Sequence, residues 1–270
     1  MVSPLPLVWG AVSTTSLSFD RAADYYDRTR ALPADVRRTV LELLRTEIGG
    51  RSPALEIGVG TGRIGLPLLS AGIELIGIDV SAPMLRKLLQ NAGGGAPLVG
   101  LADATAIPLR AGSVGSVLAC HVLHLIPTWR DALAEVVRVL KPGGIFLNDL
   151  GGWKETPGPL LEIMHKFADE AGFQLRHRGA NDVEEVSAAM VELGAAPRAL
   201  APVKGHRRET LDEVLRLYEE GRWSCTWQVG EDALRRAGRV TRAWAEERFG
   251  DLSQEITVDY DIHWHAYDLP

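Results

Sequence analysis

The stretch Leu55-Glu56-Ile57-Gly58-Val59-Gly60-Thr61-Gly62-Arg63 decides the reading of this chain. An apolar run, Ala54, Leu55 and Ile57, enters it, and Ile64, Leu66, Leu68 and Leu69 leave it at helical spacing. That pattern is a strand, a tight turn and a helix. Glycines allow φ > 0 and place no Cβ between the backbone and a ligand. The turn delivers that ligand to a helix N-terminus, whose free N–H groups favour a carboxylate or phosphate.

Working outward, the same alternation continues. Upstream, Val36, Val40, Leu41, Leu43, Leu44 and Ile48 mark one face of a helix from Ala34 to Ile48, stopped by Gly49-Gly50. Downstream come strands at Glu74–Asp79, Leu98–Ala102, Val114–Cys120 and Ile145–Leu150. Between them are a helix capped by Ser81 and another from Thr128 to Leu140. Strands alternating with helices predict a parallel sheet with right-handed crossovers, an α/β fold. Helices follow at 159–171, 182–193, 209–220 and 231–248, with a strand near Arg198–Val203. Ile256 to Trp264 alternates strictly, the mark of a half-exposed, antiparallel strand.

The chain has 270 residues, 46% hydrophobic and 24% charged, which is globular composition with ample length for a core. The pattern divides it into a flexible tail, 1–18, and a single domain, 19–270, with residues 19–48 as an N-terminal cap and 204–250 as a helical insertion or lid. The tail holds no Lys or Arg, so it does not read as a secretory signal. The net charge of −6 disfavours a general attraction to nucleic acid. No apolar run reaches the ~20 residues of a membrane span. Cys120 and Cys225 lack metal or redox spacing, which fits a reduced, cytoplasmic setting and no metal.

Two readings of the turn compete. Gly60-Thr61-Gly62-Arg63-Ile64-Gly65 satisfies the dinucleotide pattern G-x-G-x-x-G, and Asp79 lies near the ~20-residue offset of a ribose-binding acid. The other reading takes in Glu56, an acid inside the strand, which repels a pyrophosphate but suits a ligand amino group.

Four stretches in order resemble the class I S-adenosylmethionine-dependent methyltransferases. They are Leu55–Gly62, then Gly77-Ile78-Asp79-Val80-Ser81-Ala82-Pro83-Met84-Leu85, then Ala102-Asp103-Ala104-Thr105-Ala106-Ile107-Pro108-Leu109, and last His121-Val122-Leu123-His124-Leu125 with Arg138-Val139-Leu140-Lys141-Pro142-Gly143-Gly144. The set is similar to the branch that holds the ubiquinone and menaquinone biosynthesis enzymes. The resemblance covers Phe19 to Leu150 and thins afterwards. It implies a Rossmann-like, doubly wound sheet of seven strands in the order 3-2-1-4-5-7-6. The last strand is antiparallel and follows a helical insertion; Ile256–Trp264 is expected to be that strand. The implied cofactor is S-adenosyl-L-methionine, the product S-adenosyl-L-homocysteine, and the acceptor a small molecule.

The resemblance also implies roles. Glu56 meets the methionine amino group, and Gly58 and Gly60 admit the homocysteine portion. Asp79, beside Val80, accepts from the ribose hydroxyls, and Met84 packs on the adenine. Asp103 and the N–H of Ala104 take the adenine edge. Tyr26 and Arg30 close over the methionine end, and Arg63 and His121 complete the cofactor site. The segment Phe19–Arg30 has few apolar anchors, so it is expected to order on cofactor binding.

Transfer from a sulfonium needs alignment and exclusion of water. Whether a base takes a proton from the acceptor stays open; His121 and His124 follow the fourth strand at the ligand edge and are the candidates, against His121 offering backbone to the cofactor and His124 packing at a helix start. His124 and Trp153 are the candidates for contact with the acceptor. Trp223, Trp227 and Trp244 offer aromatic surface for a lid or for helix packing. The acceptor atom stays open among O, N, C and S. Two rivals also stay open, an NAD(P)-dependent oxidoreductase and a catalytically inactive S-adenosylmethionine-binding protein.

Overall fold

The computed structural model of the chain describes residues 7–8, 16–95, 97–151 and 158–270. The chain divides into two compact units, one of Met1–Gly152, Arg178–Val203 and His263–Pro270, the other of Trp153–His177 and Lys204–Ile262.

The first unit is built on a sheet of eight strands. Its strands are β1 (Leu7–Val8), β2 (Ala54–Ile57), β3 (Leu75–Asp79), β4 (Leu98–Leu101), β5 (Val114–Cys120), β6 (Leu140–Asp149), β7 (Ala196–Ala199) and β10 (His265–Asp268). Their order is β1-β4-β3-β2-β5-β6-β10-β7, and β10 runs antiparallel to both neighbours. From β2 onward this is the expected seven-stranded, doubly wound arrangement. The short β1 adds an eighth strand, parallel to β4, from within the stretch 1–18.

Helices α1 (Tyr26–Arg30), α2 (Ala34–Ile48), α3 (Gly65–Ser70), α4 (Ala82–Asn91), α5 (Trp129–Val139) and α7 (Val183–Glu192) belong to this unit. Strand β6 starts at Leu140, earlier than expected, because Pro142 biases the residue before it to extended backbone. The core on one face gathers Leu55, Ile57, Val117, Phe146 and Tyr267 with Leu133 and Val136 of α5 and Val186 and Met190 of α7. Phe146 and Tyr267 stack at 5.6 Å.

The second unit holds α6 (Pro159–Ala171), α8 (Leu211–Glu219), α9 (Glu231–Phe249) and a two-stranded ribbon of β8 (Val203–Thr210) and β9 (Glu255–Ile262). It is wider than the 204–250 insertion, because Leu160, Ile163 and Phe167 of α6 share a core with Leu215, Tyr218, Leu234 and Ala245. Phe167 lies 5.1 Å from Tyr218, which lies 5.9 Å from Trp223. Trp244 packs edge-on against Phe249, and the Trp227 Nε1–H donates to the Gly221 carbonyl at 3.1 Å. These aromatic side chains are engaged within the unit.

One strand assignment needs correction. The alternating stretch Ile256–Trp264 does not enter the main sheet; most of it is β9, in the ribbon. The antiparallel strand between β6 and β7 is His265–Asp268, with Ala266 and Tyr267 fully buried. Strict alternation marks a strand with one face in water, which a two-stranded ribbon has. A strand with neighbours on both sides and helices above and below does not alternate. Among the described residues, no helix is long and apolar enough to cross a membrane.

Candidate functional site

The carboxyl ends of β2, β3, β5 and β6 meet at one edge of the sheet, where open α/β sheets take their ligands. Gly58, Gly60 and Gly62 stand at φ 65°, 56° and 84°, conformations that a side chain disfavours. Packing demands two of them as well. A Cβ on Gly58 would collide with Val122 Cγ2, and one on Gly62 would lie 2.6 Å from Leu66 Cγ. At Gly60 it would meet Met84 Cε at 3.3 Å, so Met84 lies against the turn.

Glu56, 2% exposed, sits beneath this turn. Its Oε2 has no hydrogen-bond partner. Burial pushes the carboxyl up to about 8, against the pull of Arg63. A Cβ on Gly65 would lie 2.5 Å from Glu56 Oε2. The third glycine of the apparent dinucleotide pattern is therefore explained by room for a carboxylate.

Asp79 ends β3. Its Oδ2 accepts from the Gly60 N–H and its Oδ1 from the Ser81 N–H, both at 2.8 Å. Burial raises its pKa to about 6, opposed by these backbone N–H groups. Val80, half-buried, follows it. Asp103, 1% exposed, turns Oδ1 to its own loop, accepting from the Thr105 N–H and hydroxyl at 2.8 Å. Ala104 is buried beside it.

The N-terminal segment is tied to the turn. Asp27 accepts from the Thr61 hydroxyl at 2.5 Å and from Asn91 Nδ2 at 3.0 Å, and Asp20 accepts from the Ser81 hydroxyl at 2.6 Å. Tyr26 sits edge-on to Phe19 at 5.9 Å. Burial raises the Tyr26 phenol, while the nearby Arg63 and Arg30 oppose the shift. Arg63 lies in the turn, ahead of α3, and its Nη2 donates to Cys120 Sγ at 3.2 Å. Burial works against its charge, but Cys120, Tyr26, Asp149 and Glu56 together raise its pKa.

The sheet register sets Cys120 beside Asp149. His121 follows with φ 59°, and its Nε2 lies 3.1 Å from Asp149 Oδ2. Asp149 Oδ1 accepts from the Gly151 N–H at 3.0 Å. Burial pushes Asp149 up, but the charge and hydrogen bond of His121, with Gly151, hold it lowered. Cys120, His121 and Asp149 place one ligand atom each within 4.8 Å of one another. The Arg63 guanidinium on the Cys120 sulfur opposes a cation there, and we assign no metal.

His124 is turned to the fold: its Nδ1 bonds the Leu150 carbonyl at 3.1 Å, and its own carbonyl accepts from the Gly179 N–H at 3.0 Å. Trp153 lies outside the described residues. Sequence reasoning missed Asp149, Asp20, Asp27 and Asn91. Asp149 was findable, since it closes β6 as Asp79 closes β3. Asp27 and Asn91 meet only through folding.

Comparison with known proteins bears on this geometry. The family profile described as "Methyltransferase domain" matches residues 55–148. A malonyl-[acyl-carrier protein] O-methyltransferase of Geobacter sulfurreducens is 33% identical over 187 residues, covering 66% of this chain and 68% of that protein. The chain belongs to the S-adenosylmethionine-dependent methyltransferases. A demethylmenaquinone methyltransferase of Renibacterium salmoninarum is 31% identical over 131 residues, 47% of this methyltransferase and 54% of that one. The YcgJ protein of Bacillus subtilis shares the fold, with a TM-score of 0.58 at 19% identity, covering 86% of this chain and 98% of that one. The methyltransferase spans half the length or less of several other curated relatives it matches. Its cofactor is S-adenosylmethionine, and the dinucleotide reading of Gly60–Gly65 is set aside. The side chains fit such a cofactor, since Glu56 leaves a buried acceptor unmet where an ammonium would satisfy it.

Proposed function

We propose that this chain transfers the methyl group of S-adenosylmethionine to a small-molecule acceptor in the cytoplasm. The observation that carries the reading is Glu56, a buried carboxylate with one oxygen unmet beneath a glycine turn. In this reading Glu56 takes the amino group and Tyr26, Arg30 and Arg63 surround the methionine end. Gly58 and Gly60 shape the turn. Asp79 with Val80 takes the ribose, and Met84, Asp103 and Ala104 take the adenine. When bound, the cofactor supplies a methyl group on a sulfonium. The protein's part is to align the acceptor with it and exclude water. His121 stands at the transfer end, while His124 serves the loop backbone. Residues 19–48 are the part of the first unit that would shape the acceptor pocket. Cys120 and Cys225 are not joined in a disulfide, which suits a reducing compartment.

Calorimetric titration with S-adenosylmethionine, S-adenosylhomocysteine and NAD tests the cofactor site; binding of the first two and not the third is expected. Incubation of the labelled methyl donor with a metabolite extract tests transfer. Tight binding with no labelled product from any extract would favour an inactive binding protein.

A further inference from the structure

The methyltransferase reading leaves one arrangement unused. His121 is the non-glycine residue that the described backbone holds at positive φ, 59°. Such a conformation is uncommon and persists where the surroundings enforce it. Three contacts do so. Its N–H donates to the Asp149 carbonyl at 2.8 Å, and its Nε2 lies 3.1 Å from Asp149 Oδ2. Gly151, at φ 79°, makes room for the ring, since a Cβ there would lie 3.0 Å from His121 Cδ2.

Among the described residues, every partner of the Asp149 carboxylate is a donor: the Gly151 N–H, His121, and the Cys120 thiol at 3.8 Å, which in turn receives Arg63. An ionised carboxylate can only accept, so Nε2 carries the hydrogen. In the neutral ring Nδ1 then holds a lone pair, and among the described residues no hydrogen bond is made to it. The side chain is 21% exposed. A carboxylate that fixes the tautomer and supports the imidazolium is the arrangement of a general base. Among the described residues, the charged and titratable groups facing it are Asp149 on β6, Cys120 on β5, and Arg63 behind Cys120.

We propose that His121, held by Asp149, removes the proton of the methyl acceptor, and that the acceptor attacks through an atom that carries a proton: a hydroxyl, a phenol or a neutral amine. A carboxylate or thiolate would need no such base. The inference rests on the methyltransferase reading. In the step, the acceptor heteroatom uses a lone pair to bond the methyl carbon. The carbon–sulfur bond breaks with its pair kept by sulfur. The heteroatom's proton passes to Nδ1, and the imidazolium so formed pairs with Asp149. Asp149 is a positioning residue.

The test uses the full chain labelled with 15N-histidine, with S-adenosylhomocysteine as the probe ligand. Long-range 1H–15N spectra between pH 5.5 and 9 report which ring nitrogen carries the hydrogen. The expected result is an Nε2–H tautomer for the neutral His121 ring, with that preference lost in Asp149→Asn. An Nδ1–H tautomer overturns the proposal. In the labelled-methyl assay, His121→Asn keeps a residue tolerant of positive φ but has no base. Transfer should fall by about 100-fold or more, with S-adenosylhomocysteine affinity falling far less. Wild-type transfer by His121→Asn, or losses of binding and transfer in proportion, also overturns it. A wild-type chain that fails to bind S-adenosylhomocysteine would instead refute the methyltransferase reading.

Discussion

Replacing Glu56 with Gln should stabilise the free protein at alkaline pH while weakening its hold on the cofactor. The carboxyl rises from 4.5 to about 8 because burial costs the charged form more than Arg63 and the Gly65 N–H return. The folded state therefore holds this proton more tightly than the unfolded chain does. Its contribution to stability is full below about pH 4.5 and is lost as the pH rises through about 8. At ~1.4 kcal/mol per unit, that window is worth about 3–5 kcal/mol. Denaturant unfolding at pH 5 and pH 8.5 measures it. Asp79, raised to about 6, adds a slope of the same sign at lower pH, so the informative quantity is wild type minus variant. Near pH 5 the two should be alike; at pH 8.5 Glu56→Gln should be the more stable by most of that amount. The variant also cannot ionise to meet an amino group, so S-adenosylmethionine affinity should drop by about 1.5–3 kcal/mol. Equal stability differences at both pH values would refute the assignment of a neutral, buried Glu56.

Asp79→Asn keeps the side-chain volume but removes an ionised acceptor, and calorimetry should show cofactor binding weaker by about 1.5–3 kcal/mol. Gly58→Ala forces a side chain into φ 65° and against Val122, so thermal unfolding should report a loss of about 2–5 kcal/mol. Thr61→Val breaks the tie to Asp27; hydrogen exchange over residues 19–30 should quicken roughly tenfold, and S-adenosylhomocysteine should slow it in both proteins. Phe167→Ala empties a site between Phe173 and Tyr218, and denaturant unfolding should show the second unit weakened by about 3–5 kcal/mol.

Much of the molecule was legible residue by residue. Gly58, Gly60 and Gly62 announced a turn, because φ > 0 is a local demand that glycine meets. The parallel strands and their helices followed from periodicity, which each segment carries in its own side chains. Glu56 could be placed inside its strand, and Asp79 at the end of its own, for the same reason. What only the tertiary structure decided is partnership. Strict alternation showed that Ile256–Ile262 has one wet face, but which strand it pairs with depends on chain distant in sequence, and the sheet took His265–Asp268 instead. Helix α6 carried an apolar stripe without showing that its core lies with α8 and α9. The His121–Asp149 pair joins residues 28 apart, brought together by the register of β5 on β6 and by a glycine that clears room for the ring. Local conformational preference acts within a few residues and can be read in order. Burial, charge coupling and proton affinity arise where distant segments exclude water together, so they belong to the folded chain.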